Sequence, residues 1–327
     1  MSVDQPGSIL CFGEVLLRLS AERGTKLVNA QRFDAHIGGS EANVGALLAQ
    51  LGHSVEMVTV LARSSLGHQC EAELRRVGIG TSHSVRAEGR QALYFLEGGG
   101  AAGRIIYDRA GSSFAQNSNL IDWSALVGHA SWFHLSGIDL ALGDVAAEAA
   151  LDAVKTMAGA GVTISFDVNH RASLWEGRSK SEFARVRDVM ALTDYLFASP
   201  RDLARTLGCE IAQATQSAFG TFDRLKLIAS TQRLLQQQRL SVRIATREQA
   251  HKTNGASLGC VVDRIGSGDA FAGAVIDGIL RGASLEECAN FGLAAAISKH
   301  WIAGDRWIGT REELESFNPF SPGDVRR

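Results

Sequence analysis

The 327-residue sequence has no CxxC pair, no apolar run long enough to cross a bilayer and no marked excess of either charge. Each absence removes a class of function. The five cysteines, Cys11, Cys70, Cys209, Cys260 and Cys288, are scattered and odd in number. They read as reduced thiols, each a small core hydrophobe, in a cytoplasmic protein. A formal charge of −2 gives no electrostatic footing for nucleic acid or for an anionic membrane. MSVDQPGSIL has no basic stretch leading into an apolar one, so no secretory signal is expected. The nine histidines show no metal-ligand spacing, and His129 and His134, in or beside an expected strand, read as structural. There is no GxxxxGK[ST] loop and no kinase-type HRD loop. No GxGxxG follows the first strand, which removes a nicotinamide dehydrogenase; the glycine-rich stretch 98–103 falls inside an expected hairpin instead.

What is present is an ordinary globular composition, 45% hydrophobic and 21% charged with only 4 prolines. Apolar runs at 9–12, 56–61, 131–135, 162–167, 195–198 and 226–229 read as strands. Helical patterns lie between them. In 41–51 the apolar residues Val44, Leu47, Leu48 and Leu51 recur at helical spacing, with Ser40 placed to cap and Gly52 to end the helix. Segments 66–77, 145–157 and 183–192 read similarly. Ser284-Leu285-Glu286-Glu287 is a capping-box pattern opening a further helix. Such alternation predicts an α/β fold with a mostly parallel sheet covered on both faces. Two stretches break it, 16–37 and 91–110. The second reads as short strands at 92–96 and 104–107 around the turn Gly98-Gly99-Gly100. Both leave the core after a strand and return before a helix, so they are expected to pair into a small β-sheet lid. The α/β core is then 1–15, 38–90 and 111–327.

The residues able to carry chemistry cluster in three places. Gly266-Ser267-Gly268-Asp269 is a glycine turn running into an apolar helix. The glycines admit close approach of a ligand to the backbone, the free N–H groups suit an anion, and Asp269 is sited as a base. Alone, the pattern reads equally well as a strand-to-helix turn with a helix-start aspartate. Gly38-Gly39-Ser40-Glu41-Ala42-Asn43 can offer backbone N–H groups and an amide to a polar ligand, or merely cap a helix. Tyr94, Tyr107, Arg109 and Arg171 close the second excursion and a core strand, where open α/β sheets bind ligands. Arginines there suit a carboxylate or phosphate.

In this order and spacing the motifs resemble the ribokinase/PfkB family of carbohydrate kinases over nearly the whole chain. Gly38-Gly39…Asn43 is similar to its sugar-binding signature, and Asp263…Gly266-Ser267-Gly268-Asp269-Ala270-Phe271…Gly273 to its second, more specific one. Phe12-Gly13-Glu14, Tyr107-Asp108-Arg109-Ala110-Gly111-Ser112, Leu135-Ser136-Gly137-Ile138, Asp167-Val168-Asn169-His170-Arg171…Leu174-Trp175 and Gly304-Asp305 resemble the 2-keto-3-deoxygluconate kinases in particular. The resemblance implies a ribokinase-like three-layer fold. It implies a kinase that uses ATP and Mg²⁺ to make 2-keto-3-deoxy-6-phosphogluconate. Asp269 would be the base, and the backbone of Gly266, Ser267 and Gly268 the anion hole. Gly38, Gly39, Asn43, Tyr94, Tyr107, Arg109, Arg171 and Asp305 would hold the sugar acid, and Asp263 would serve a monovalent cation such as K⁺.

The chain departs from the family on the nucleotide side. Ser199-Pro200-Arg201-Asp202 stands where many members carry Asn-x-x-Glu, and Ile228-Ala229-Ser230-Thr231-Gln232-Arg233 where a Gly-x-x-Gly is usual. Ser199 and Ser230 are therefore the expected nucleotide contacts. The alternatives are a kinase for fructose or for the galacto-epimer of the same acid, and a catalytically silent sugar- or nucleotide-binding protein. Apolar Leu93, Phe95, Ile105 and Tyr107 on an open lid predict a homodimer through the lids.

Overall fold

The computed structural model describes residues 7–97, 103–176, 180–234 and 238–320. The turn expected at Gly98-Gly99-Gly100 lies outside them. A nine-stranded sheet forms the centre. Ser8–Phe12, Val55–Val58, Ala130–Ser136, Thr163–Asp167, Tyr195–Phe197 and Leu227–Leu234 run parallel to one another. Arg239–Ala245, Ala250–Lys252 and Ala256–Ser257 complete one edge in antiparallel pairing. The expected strand at 56–61 divides in two: Val60–Ala62 turns away and pairs with Val85–Ala87 in a separate two-stranded sheet.

Successive residues of the central strands feed opposite cores, as the two-residue strand period requires. Leu10 and Phe12 pack on one face with Phe133, Phe166 and the helix Asp144–Gly159. Ile9 and Cys11 pack on the other with Met57, Phe271 and Leu293. Burial raises the Cys11 thiol well above its ordinary value, and its place in the core fits the reading of a small hydrophobe. His134 is likewise a fully buried core residue, bonded through Nδ1 to the Ser165 hydroxyl at 2.8 Å.

On that second face the helices Ser40–Gln50 and Ser267–Leu280 cross in close contact. Gly273 makes this approach: a Cβ there would meet Leu47 Cδ2 at 2.8 Å and Val44 O at 3.2 Å. The first helix does not use Ser40 as its cap. Gly39 takes that position with no side-chain bond, because the Ser40 hydroxyl is engaged elsewhere.

A four-stranded sheet stands apart from the core, ordered Phe33–Gly38, Leu16–Ala21, Ala92–Glu97, Arg104–Asp108. Its register divides the four residues expected to form a contact between lids, Leu93, Phe95, Ile105 and Tyr107, between two faces. Tyr94 pairs with Tyr107 and Leu96 with Ile105, whereas Phe95 pairs with Ile106. Ile105 and Tyr107 therefore lie on the same side as Tyr94, and both line the site below. Leu93, Phe95 and Ile106 point the other way.

The capping box at Ser284 forms as expected. Ser284 Oγ accepts the Glu287 N–H at 3.2 Å, and the Glu287 carboxylate accepts the Ser284 N–H at 2.8 Å. Ser284→Ala should lower unfolding stability by about 1 kcal/mol, read from urea denaturation. No change would mean that the helix Leu285–His300 is fixed by packing alone.

Candidate active site

Beyond the carboxyl end of Thr163–Asp167 lies a cavity of about 400 Å³. The parallel strands put their C-terminal loops there, and the two crossed helices deliver their N-termini to it. Of the residues singled out from sequence, Gly39, Asn43, Tyr94, Tyr107, Arg109, Arg171, Gly266, Ser267, Gly268, Asp269 and Asp305 line it. Gly38 does not. Its missing side chain instead leaves room for the Asp305 carboxylate, which a Cβ would meet at 2.2 Å.

Asp269 is held by two side chains of the helix Ser40–Gln50. Asn43 Nδ2 donates to its Oδ2 at 2.6 Å and the Ser40 hydroxyl to its Oδ1 at 3.0 Å. Asn169, a non-glycine residue at φ 40°, donates to the Ser40 oxygen at 2.8 Å and so sets the direction of that hydroxyl. Burial pushes the Asp269 carboxyl above the ordinary aspartate range, against the Asn43 bond, the charge of Arg171 and the Ser40 bond. A buried carboxylate with a raised pKa and fixed orientation is suited to accept a proton. Beside it, Gly266 sits at φ +80°, and a Cβ there would be 1.6 Å from Asp305 O. Only glycine fits that position. A Cβ on Gly268 would meet nothing within 4 Å, so its backbone faces open space at the start of the helix.

The small sheet covers the cavity with one row of side chains. Arg18 lies between His36 and Tyr94 in register, and Tyr94 beside Tyr107. Tyr94 donates its hydroxyl to Asp305 Oδ2, and Arg18 donates to Asp305 Oδ1 at 3.0 Å. Arg109 is buried against Glu14, its Nε 2.6 Å from Oε2, and its guanidinium lies over the Tyr107 ring. Ser112 also donates to Glu14.

The two nucleotide-side serines fall in an adjoining cleft lined by Asp167, Asn169, His170, Arg171, Ser199, Asp202, Ser230, Thr231 and Gly268. Ser199 is a helix cap there, donating to Asp202 Oδ2 at 2.6 Å and accepting the Asp202 N–H at 3.2 Å. Ser230 Oγ is 3.4 Å from Arg243 O. Asp167, Asn169, Arg171 and Gly268 border both spaces, so the bare backbone of Gly268 stands where the two meet.

Several lining residues escaped the sequence reading. Arg233 and Arg264 wall the cavity on the turn side. Arg264 Nε is buried without a hydrogen-bond partner. Burial, and then the nearby Arg264 charge, hold Arg233 below its ordinary pKa. Arg233 was missed because its strand runs to Leu234, five residues past the apolar stretch that announced it. Arg18 had a signal, a lone charge in the apolar run Leu16–Ala21.

The implied Asp263 cation site does not fit this chain. Asp263 Oδ2 accepts from Arg18 Nη2 at 2.6 Å and from the Gly304 N–H at 3.1 Å, and Oδ1 from the Ile265 N–H at 3.0 Å. Donors, not oxygens, surround it. Among the described residues no group of three or more His, Cys, Asp or Glu side chains is placed to hold a metal ion.

Comparison with known proteins gives a consistent answer. The model of pfkB family carbohydrate kinases matches residues 7–298. A 2-dehydro-3-deoxygalactonokinase of Haloferax volcanii is 29% identical, covering 94% of this chain and 95% of its own. A 2-dehydro-3-deoxygluconokinase of Bacillus subtilis is 27% identical, over 94% of each. The crystal structure of the Thermotoga maritima 2-dehydro-3-deoxygluconokinase superposes with a TM-score of 0.88 at 33% identity, over 94% of this chain and 98% of that one.

The hydrogen bonds on Asp269 give a pH test. A base works only when deprotonated, so turnover should fall as pH drops through the raised Asp269 pKa. Ser40→Ala removes a bond that favours the carboxylate and should move this acid limb upward by about one pH unit. An unmoved limb in the kcat profile would separate Asp269 from proton transfer.

Proposed function

The chain belongs to the pfkB family of carbohydrate kinases, and we propose that it transfers the γ-phosphoryl group of ATP to the terminal hydroxyl of 2-keto-3-deoxygluconate, giving 2-keto-3-deoxy-6-phosphogluconate. The observation that carries this reading is the meeting of two spaces at Gly268 beside Asp269. One space is lined by tyrosines and arginines and suits a sugar acid. The other suits a nucleotide.

The sugar hydroxyl approaches Asp269, which takes its proton as the oxygen attacks the γ-phosphorus. The N–H groups of the Gly266–Ser267–Gly268 turn stabilise charge developing on the transferred group. Mg²⁺ brought in with ATP would supply positive charge to the remaining phosphate oxygens. Arg171, bordering both spaces, offers its guanidinium to the substrate carboxylate; Arg109 is held by Glu14 and orients the same end. Asn43 and Asp305 bond the sugar hydroxyls. Arg233 and Arg264 line the first space at the turn and not the cleft with Ser199 and Ser230; two neighbouring guanidinium groups there favour an anionic group between them. Ser199 and Ser230 stand at the wall of the nucleotide space.

A coupled ADP-release assay over a panel of sugars with ATP and Mg²⁺ tests the reading. 2-Keto-3-deoxygluconate should give the highest kcat/KM. The galacto-epimer is the second substrate to try, because the Haloferax volcanii relative carries its name. Asp269→Asn should cost at least about a hundredfold in kcat with the fold retained. Arg171→Ala should raise KM for the keto acid more than for a neutral sugar, and equal losses would sink the carboxylate argument.

The outward row of the small sheet, Leu93, Phe95 and Ile106, suits a second copy of the chain, with Ile106 still 38% exposed. Light scattering should return a dimer, and Phe95→Glu should shift it toward monomer. A monomeric parent protein at micromolar concentration would exclude this arrangement.

A further inference from the structure

Lys299 is the most unusual side chain near the site. It lies in the last turn of the helix Leu285–His300, has no exposed surface, and belongs to none of the motifs above. A lysine loses strong hydration when buried, so its ammonium must be met by oxygens or by negative charge. Both are present. Lys299 Nζ donates to Ile302 O at 2.9 Å. Asp263 and Asp305 draw its pKa up against the larger, lowering effect of burial.

Arg18 bridges Asp263 and Asp305 with its two terminal nitrogens. Arg18 and Lys299 are thus two cations facing two buried carboxylates, with Asp269, Arg233 and Arg264 further around them. His36 and His300, which also adjoin this region, are held below their ordinary pKa mainly by burial and add no charge near neutrality. A free monovalent cation would bring a third positive charge into a closed space. It would also need oxygen ligands. Asp263 is occupied by N–H donors, and the Ile302 carbonyl is taken by Lys299.

The location links these charges to the reaction. Residues 302–305 lie directly behind the catalytic turn. Asp305 O would be 1.6 Å from a Cβ on Gly266, and Lys299 Cε 3.4 Å from it. Fixing the Ile302 carbonyl fixes the loop, and the loop backs the turn whose N–H groups meet the transferred phosphoryl.

We infer that Lys299 is a covalently tethered cation that positions the Gly266 turn, so that this kinase works without a free monovalent ion. Lys299 is a positioning residue in this scheme, since it bonds the Ile302 carbonyl behind the turn and does not line the cavity. The inference rests on the kinase reading for its activity readout only.

The test compares K⁺, Na⁺ and NH₄⁺ with tetramethylammonium at fixed ionic strength, using the best sugar of the panel. Wild-type kcat and melting temperature should be the same in all four. Lys299→Met should lose about tenfold or more in kcat, with KM for the sugar little changed. K⁺ or NH₄⁺ should restore part of its kcat and raise its melting temperature. Three results would overturn the inference: a wild-type enzyme activated or thermally stabilised by K⁺, a Lys299→Met enzyme with undiminished kcat, or a loss that no monovalent cation restores. Should Lys299→Met not fold, the wild-type cation series decides alone. Should no sugar be phosphorylated, the substrate reading fails while the wild-type melting series still decides this one.

Discussion

The bonds from Ser40 and Asn43 to Asp269 join the two ends of the chain, across more than two hundred residues of sequence. Their geometry depends on how closely the helices Ser40–Gln50 and Ser267–Leu280 approach, and that distance is set by Gly273 against Leu47. Widening the contact by one methyl group would move the carboxylate away from its donors. A reacting group misplaced by about an ångström loses orders of magnitude in rate. The core packing on this face of the sheet is therefore part of the site.

Around that contact the protein buries more carboxyl groups than it has cations to match. Glu14 is paired with Arg109. Glu41 and Asp139 have no such partner: Glu41 Oε1 and both Asp139 oxygens lack a hydrogen bond. Burial drives Glu41 up to about 7 and Asp139 well above the carboxylate range. Asp167 rises to about 8, from burial and then from the charge of Asp269. Burial favours the protonated form of each of these groups; Asp167 Oδ1 also accepts the Asn169 N–H at 2.9 Å. Arg171 lines the cavity beside Asp167.

The central strands were legible because each is an apolar run buried on both faces. The antiparallel edge was not: Arg239–Ala245 alternates arginine and serine with Leu240, Val242 and Ile244, a period-two pattern that an eye set for continuous apolar runs passes over. The site was legible where chemistry needs particular residue types, as in Gly266-Ser267-Gly268-Asp269. It was not legible where residues act through tertiary partners. Nothing local says that Ser40 bonds Asp269 instead of capping its own helix, or that Glu14 waits for Arg109. Sequence does not say which face of the sheet Ile105 and Tyr107 take: register relative to Ala92–Glu97 decides it and turns both toward the cavity.

The resemblance to a family carried a similar risk. Asp263 matches a position tied to a cation elsewhere, and the residue itself is unchanged. What differs is the company it keeps: Arg18 from the small sheet and Lys299 from the final long helix fill its surroundings. The same logic holds on the nucleotide side, where the expected glycines are absent while Arg233 and Arg264 stand by the turn. In both places cationic side chains of the chain itself stand near positions where the resemblance implies backbone or ion contacts. Side-chain cations are fixed when the fold forms and cost no ion binding later, but they are held only as well as the packing that buries them. In the scheme inferred above, the rigidity of the core behind Gly266 takes the place of a free ion.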